Sequence, residues 1–251
     1  MLSWSHRRRF IYGGMATLAV LAAVVLPLFL YFYDSPTCFD NIKNGSEQGM
    51  DCGGSCERLC QSAFQPPNVA WTRLEEVAPG LYNVAAYIVN PNPAAEARNV
   101  PYHIALYDTS GVLINDLNGK VTIPPHRNTL AFRGAVSAGK RLPAKALFEF
   151  QAPPNWYEKK DTLSSLIIVN KEYLEEDTNS SLLVTLSNSG LEVIGPISVY
   201  AVLYDSEGNA VGFSKTTVDE IAIQGRAVAP FTWPISRDNK VISIEVLPVA
   251  E

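Results

Sequence analysis

Histidine and cysteine are scarce in this 251-residue chain. The three histidines are His6, His103 and His126, and no two fall at a metal-ligand spacing. The four cysteines, Cys38, Cys52, Cys56 and Cys60, share one short stretch, and the remaining residues up to Glu251 contain none. G-x-S-x-G, H-E-x-x-H and glycine-rich phosphate loops are absent, which removes the usual sequence frames for hydrolysis, zinc catalysis and nucleotide binding. Acidic pairs occur at Glu75-Glu76 and Glu175-Glu176, but neighbours on a strand face opposite sides, so neither pair forms an acid/base couple. These absences argue against an enzyme and leave no catalytic residue to name.

Acidic residues are also missing from the first 33 positions, where the chain instead runs Arg7-Arg8-Arg9 and then an uncharged, mostly apolar stretch from Phe10 to Tyr33. A span of this length exceeds the roughly 20 residues a helix needs to cross the hydrocarbon core. The arginines on one flank and Asp34 on the other predict a cytoplasmic N-terminus by the positive-inside rule. A cleaved signal peptide has a shorter apolar core and small residues at its distal end. Here that end carries Pro27, Phe29, Tyr31, Phe32 and Tyr33, which suit an interfacial belt. The segment reads as an uncleaved, single-pass signal-anchor in the plasma membrane, with the lipid bilayer as its first partner and everything after it extracytoplasmic.

The part beyond the span holds 17 basic and 25 acidic residues, a net charge of −8. A mildly acidic ectodomain lacks the clustered Lys and Arg that nucleic-acid binding requires. Four cysteines in an exported, oxidising setting predict two disulfides, with three connectivities open. A four-thiolate zinc site fits less well, because thirteen residues isolate Cys38 from the others.

Between the cysteines the sequence reads Cys38-Phe-Asp40-Asn-Ile-Lys-Asn44-Gly-Ser-Glu47-Gln-Gly-Met-Asp51-Cys52-Gly-Gly-Ser-Cys56. This resembles the short cysteine-rich module C-x-D-x-x-x-N-G-x-E-x-G-x-D-C-G-G-x-C of bacterial surface and secreted proteins, often found beside β-sandwich domains. The resemblance covers about 25 residues and implies a cell-envelope context without a particular activity. Asp40, Asn44, Glu47 and Asp51 offer the hard oxygen donors that calcium selects, and are candidate calcium ligands, the only cofactor the sequence suggests. The blander reading, turn-rich polar residues in a disulfide knot too small to have a core, is favoured because scattered acids are nonspecific.

Pro66-Pro67 predicts a stiff spacer. Beyond it the chain repeats: Leu74-Glu75-Glu76 recurs as Leu174-Glu175-Glu176, Leu106-Tyr107-Asp108 as Leu203-Tyr204-Asp205, and Phe148-Glu149-Phe150 is echoed by Ile244-Glu245-Val246. Order-preserving recurrence near 100 residues predicts a duplicated domain. Within each copy, short apolar strands end in Asn, Pro, Ser and Gly clusters, with about seven strands per copy and no amphipathic helix of usual length between them. Such strands bury their apolar faces by packing two antiparallel sheets together. The recurring Leu-Tyr-Asp ahead of a turn is similar to the FxLYD and late-embryogenesis-abundant type of immunoglobulin-like sandwich, although Ile104 and Ala201 stand where that pattern has Phe. The resemblance implies envelope modules without catalysis.

The expected organisation is a cytoplasmic stub (1–9), transmembrane helix (10–33), cysteine-rich stalk (34–66), and two sandwiches (67–154 and 155–251) in a mainly β chain. The sandwiches are expected to bind or position another envelope protein, with Trp71, Trp156, Tyr157 and Trp233 as candidate contact residues or, alternatively, core or interdomain packing residues. The alternative is an accessory subunit of a membrane complex, contacted through its helix.

Overall fold

The computed structural model describes residues 4–32, 35–159, 161–175, 179–234 and 240–250. Tyr33 at the end of the expected span, Asp34 beside it and Glu176 of the second acidic pair lie outside the described residues. The chain divides into two compact units, Met1–Cys56 and Glu57–Glu251.

In the first unit, α1 (Trp4–Phe32) contains a stretch, Arg7–Phe29, long and apolar enough to cross a bilayer, none of it buried against protein. Pro27 lies within the helix near its C-terminal end. Residues 35–56 form a compact loop closed by a Cys38–Cys56 disulfide, with Cα atoms 5.7 Å apart. Cys52 and Cys60 are disulfide-bonded too, so two bridges account for all four cysteines.

Apart from a 3-10 turn at Gln61–Ala63, the regular structure of the second unit is β. Its strands are β1 (Asn68–Ala78), β2 (Leu81–Val89), β3 (Ala95–Tyr107), β4 (Leu113–Ile123), β5 (Thr129–Ser137), β6 (Lys145–Phe150), β7 (Trp156–Glu158), β8 (Leu166–Glu175), β9 (Asn179–Asn188), β10 (Ile197–Tyr204), β11 (Ala210–Val218), β12 (Arg226–Pro234) and β13 (Ser243–Ala250). All pairings are antiparallel. The first sandwich packs sheet β1-β2-β5 on β4-β3-β6, and the second packs β8-β9-β12 on β11-β10-β13, so both have the same strand order. Six strands per sandwich, plus the short β7, replace the seven expected.

Alternation along each central strand fills the cores. Val84, Ala86 and Ile88 of β2 meet Tyr102, Ile104 and Leu106 of β3 in the first. Leu182, Val184 and Leu186 of β9 meet Val199, Ala201 and Leu203 of β10 in the second. A third apolar layer lies between the sandwiches. The remaining faces of β2 and β5 present Ala85, Tyr87 and Leu130, and those of β10, β11 and β13 present Val202, Ala210, Phe213 and Leu247, all in one buried cluster. The two sandwiches are therefore fused face to face into four sheet layers with three apolar layers between them.

Two boundaries differ from those expected. β7 pairs with β3 in the first sandwich, and Trp156, 1% exposed, belongs to that core and not to interdomain packing. The segment before Pro67, expected as the end of the stalk and a stiff spacer, packs against the first sandwich. Leu59 and Phe64 pack on the first core, Leu59 N–H donates to the Trp156 carbonyl at 2.7 Å, and Gln65 and Asn92 exchange hydrogen bonds of 2.8 and 3.0 Å.

Candidate functional site

The candidate calcium residues come together as a hydrogen-bonded loop. Asp51, buried, accepts the backbone N–H groups of Asp40 and Asn41 at 3.0–3.1 Å. Asp40 accepts the Asn44 amide at 2.9 Å and the N–H of Ile42 at 2.9 Å, and these bonds hold its carboxyl below the usual carboxylate range, the Asn44 bond first. Glu47 accepts the N–H groups of Asn44 and Asp51, both at 3.2 Å. The three carboxylates thus organise the loop by accepting its peptide N–H groups, while the Asn44 Oδ1 is buried without a hydrogen-bond partner. Among the described residues, the one trio of His, Cys, Asp or Glu donor atoms within 4.8 Å of one another is Cys38, Glu47 and Cys56. Two of its members are the sulfurs of a disulfide, which lack the thiolate a metal requires.

The other singled-out residues separate. His103 lies 3.7 Å from Glu149 on the outer face of the first sandwich, and His126 sits exposed in the turn after β4 with φ 55°. Trp156 and Trp233 are core residues of different sandwiches, Trp71 is half-buried beside the layer between them, and Tyr157 lies under the Arg98 guanidinium. None of the four is an exposed loop aromatic. Glu75 and Glu175 do not occupy equivalent places either. Leu74 stands opposite Val84 and packs on the first core, whereas Leu174 stands opposite Ser181 and is 57% exposed, so the two Leu-Glu-Glu triplets are one residue out of register and face opposite ways.

The Leu-Tyr-Asp triplets do coincide. Leu106 and Leu203 are buried, and each following aspartate closes the turn with one carboxylate oxygen: Asp108 takes the N–H groups of Ser110 and Val112 at 2.9 Å, and Asp205 those of Glu207 and Asn209 at 2.9 and 2.8 Å. Chiefly through the Val112 and Asn209 bonds, both carboxyls are held low. Asn90 and Asn188 play matching parts at the other end of the sandwiches, each donating its amide to loop carbonyls, Asn188 from 1% exposure.

Sequence reasoning missed the polar groups in the layer between the sandwiches. Tyr87 and Tyr204 donate to the two oxygens of Glu245 at 2.8 and 2.9 Å, and Asn128 donates to Tyr87 at 2.8 Å. Burial, reinforced by the Glu245 carboxylate, pushes both phenols far above their ordinary pKa. Glu75 accepts the Phe213 N–H at 3.2 Å, while the Asn83 amide donates to the Phe213 carbonyl at 3.2 Å. Burial outweighs that N–H bond and raises the Glu75 carboxyl to about 7. A signal for this layer existed in the sequence: Val84–Val89 and Val199–Leu203 are unbroken apolar runs, which a strand with one wet face would not show.

Among the described residues, one open cleft of about 820 Å³ lies at an end of the second sandwich between residues 161–165 and 190–197, with Leu191 among its lining residues. Another, about 400 Å³, is lined by Phe64, Pro66, Phe150, Pro153 and Trp156 on the first.

No family model and no curated protein matches the sequence. Among solved structures 41 chains match. One is a presumed beta-galactosidase from Bacteroides fragilis, with 14% identity, 68% of this chain and 33% of that chain covered, and a TM-score of 0.21. The chain spans about a third of that protein's length, and the likeness is too low to carry an argument about either fold or function.

Proposed function

We propose that this is a non-catalytic envelope protein, anchored in the plasma membrane by α1 with its N-terminus in the cytoplasm, that presents two duplicated immunoglobulin-like sandwiches as one rigid unit for binding or positioning another envelope protein. The observation that carries the reading is the buried layer between the sandwiches. A tandem pair joined by a loose linker leaves domain motion free, whereas burying Tyr87, Leu130, Val202, Phe213 and Leu247 together holds the outer faces and loops at a fixed spacing. Fixed spacing suits a scaffold. The long apolar helix supports anchorage, and the disulfide-closed loop suits an oxidising compartment.

The test is in-cell crosslinking of the full chain and of a variant whose 10–33 span is replaced by an unrelated apolar helix, with mass spectrometry of captured partners. Envelope proteins captured by both forms support recognition through the sandwiches. Partners lost with the helix swap would make the chain an accessory subunit contacted through its span, and a cytoplasmic protein crosslinked to the sandwiches would contradict the topology.

A further inference from the structure

Strand β8 forms an open edge of sheet β12-β9-β8 and is unusually apolar for that position. Ile167, Val169 and Leu174 are 50, 48 and 57% exposed, and Ile168 is 37% exposed. The opposite edge of the same sheet, β12, carries Pro230 and Pro234, which lack the N–H that a pairing strand would use. β8 contains no proline, so a row of peptide groups remains available for a further strand.

The pattern of β8 identifies what that strand could be. Relative to β9, Ile168 and Tyr173 face the core side, opposite Leu186 and Leu182. Ile167, Asn170, Glu172 and Leu174 face outward, opposite Ser187, Thr185, Leu183 and Ser181. A bulge between Ile168 and Asn170 sets Val169 outside the alternation. With that residue omitted the strand is symmetric about Lys171. Turning a second copy antiparallel places Ile168 against Tyr173, Ile167 against Leu174 and Asn170 against Glu172, each pair on one face. Sliding the register to centre on Glu172 sets like charges together, and centring on Asn170 opposes Ile167 to Glu172. Lys171 lies on the two-fold axis, where like charges disfavour pairing. Its ammonium is drawn back into its own sandwich, however, by a 2.8 Å bond to the Ile244 carbonyl.

We infer that β8 is a self-association edge, pairing antiparallel with β8 of a second copy about Lys171 to join two β12-β9-β8 sheets into one of six strands. This contact is isologous and closes at two copies. It rests on the strand's own pattern and not on the proposed anchorage or partner.

The chain has no free cysteine, so single introduced cysteines report on the full protein without background. Directly opposed residues lie at about 4.5–5.5 Å between Cα atoms, within disulfide range. In full-length chain from expressing cells under mild oxidation, Lys171→Cys should form a linked dimer several-fold above Leu183→Cys, a control on the outer face of the neighbouring strand. Ile167→Cys and Leu174→Cys should link when co-expressed, and each alone should stay near the control. That mixed pair leaves Lys171 intact and decides the matter if Lys171→Cys folds poorly. Mixed-pair linkage at the control level, or linkage strongest through Tyr173→Cys, would overturn the inference.

Discussion

The Tyr87 hydroxyl of the first sandwich donates a 2.8 Å hydrogen bond to the Glu245 carboxylate of the second, 158 residues away in sequence. Tyr204 donates to the other oxygen of the same group at 2.9 Å. Hydrogen bonds to a charged group contribute about 1.5–3 kcal/mol each. Tyr87→Phe and Tyr204→Phe should each destabilise the chain by about that amount in urea titration, and the double variant should cost more than the sum, because it leaves the shared carboxylate without either phenol donor. Strict additivity would mean that the two do not act through Glu245.

Glu75 should make stability depend on pH between its ordinary value of 4.5 and about 7. The folded state holds this proton more tightly than the unfolded state, so stability falls as pH rises through that window and levels off above it. The decrease should be on the order of 1–3 kcal/mol. Asp108 and Asp205, held low, act with the opposite sign and only near or below their ordinary 3.8, outside this window. Denaturation at pH 5 and pH 8 should show the fall in the wild type and a flatter profile in Glu75→Gln.

Trp156→Ala should cost about 3–5 kcal/mol, the range for truncating a buried aromatic. It removes a fully buried side chain and the surface against which Phe64 packs, with ring centroids 6.0 Å apart. Greater proteolysis at residues 57–66 should accompany the loss.

Gly54→Ala should disrupt the cysteine-rich loop. A Cβ there would sit 1.9 Å from the Ser46 carbonyl oxygen, at φ +64°. Mapping of the disulfides should find less Cys38–Cys56 in the variant than in Gly80→Ala, a control with similar φ and open space around it.

Asp40, Glu47 and Asp51 each accept peptide N–H groups already, so millimolar calcium or a chelator should leave the melting temperature of the chain unchanged; a rise with calcium would assign an ion to these carboxylates and the unpartnered Asn44 Oδ1. Asp51→Ala should lower it equally with and without calcium, by removing the acceptor of the Asp40 and Asn41 N–H groups.

What the sequence made legible follows from what short-range chemistry dictates. Leu-Tyr-Asp could be aligned between the copies because its leucine is a core residue and its aspartate must reach N–H groups two and four residues on, leaving no freedom of register. The other recurrences matched letters and not positions. Leu74 stands opposite Val84, whereas Tyr173 and not Leu174 stands opposite Leu182, the residue in the matching core position, so the letters match one residue out and a core residue is set against an exposed one. Phe148 pairs with Ile104, whereas Ile244 pairs with Leu203, the counterpart of Leu106, so that match is displaced by two and keeps only the face. The apolar run Val84–Val89 signals a second buried face, but which residue meets it across the layer, such as Glu245 for Tyr87, is encoded by no local pattern.

Calorimetry of the full chain in detergent most directly tests whether the two sandwiches act as one unit. A shared buried layer predicts a single β-unit transition with equal calorimetric and van't Hoff enthalpies, shifted as a whole to lower temperature by Phe213→Ala. Two separable transitions, with only one moved by Phe213→Ala, would show that the sandwiches unfold independently and would contradict the rigid presenting unit.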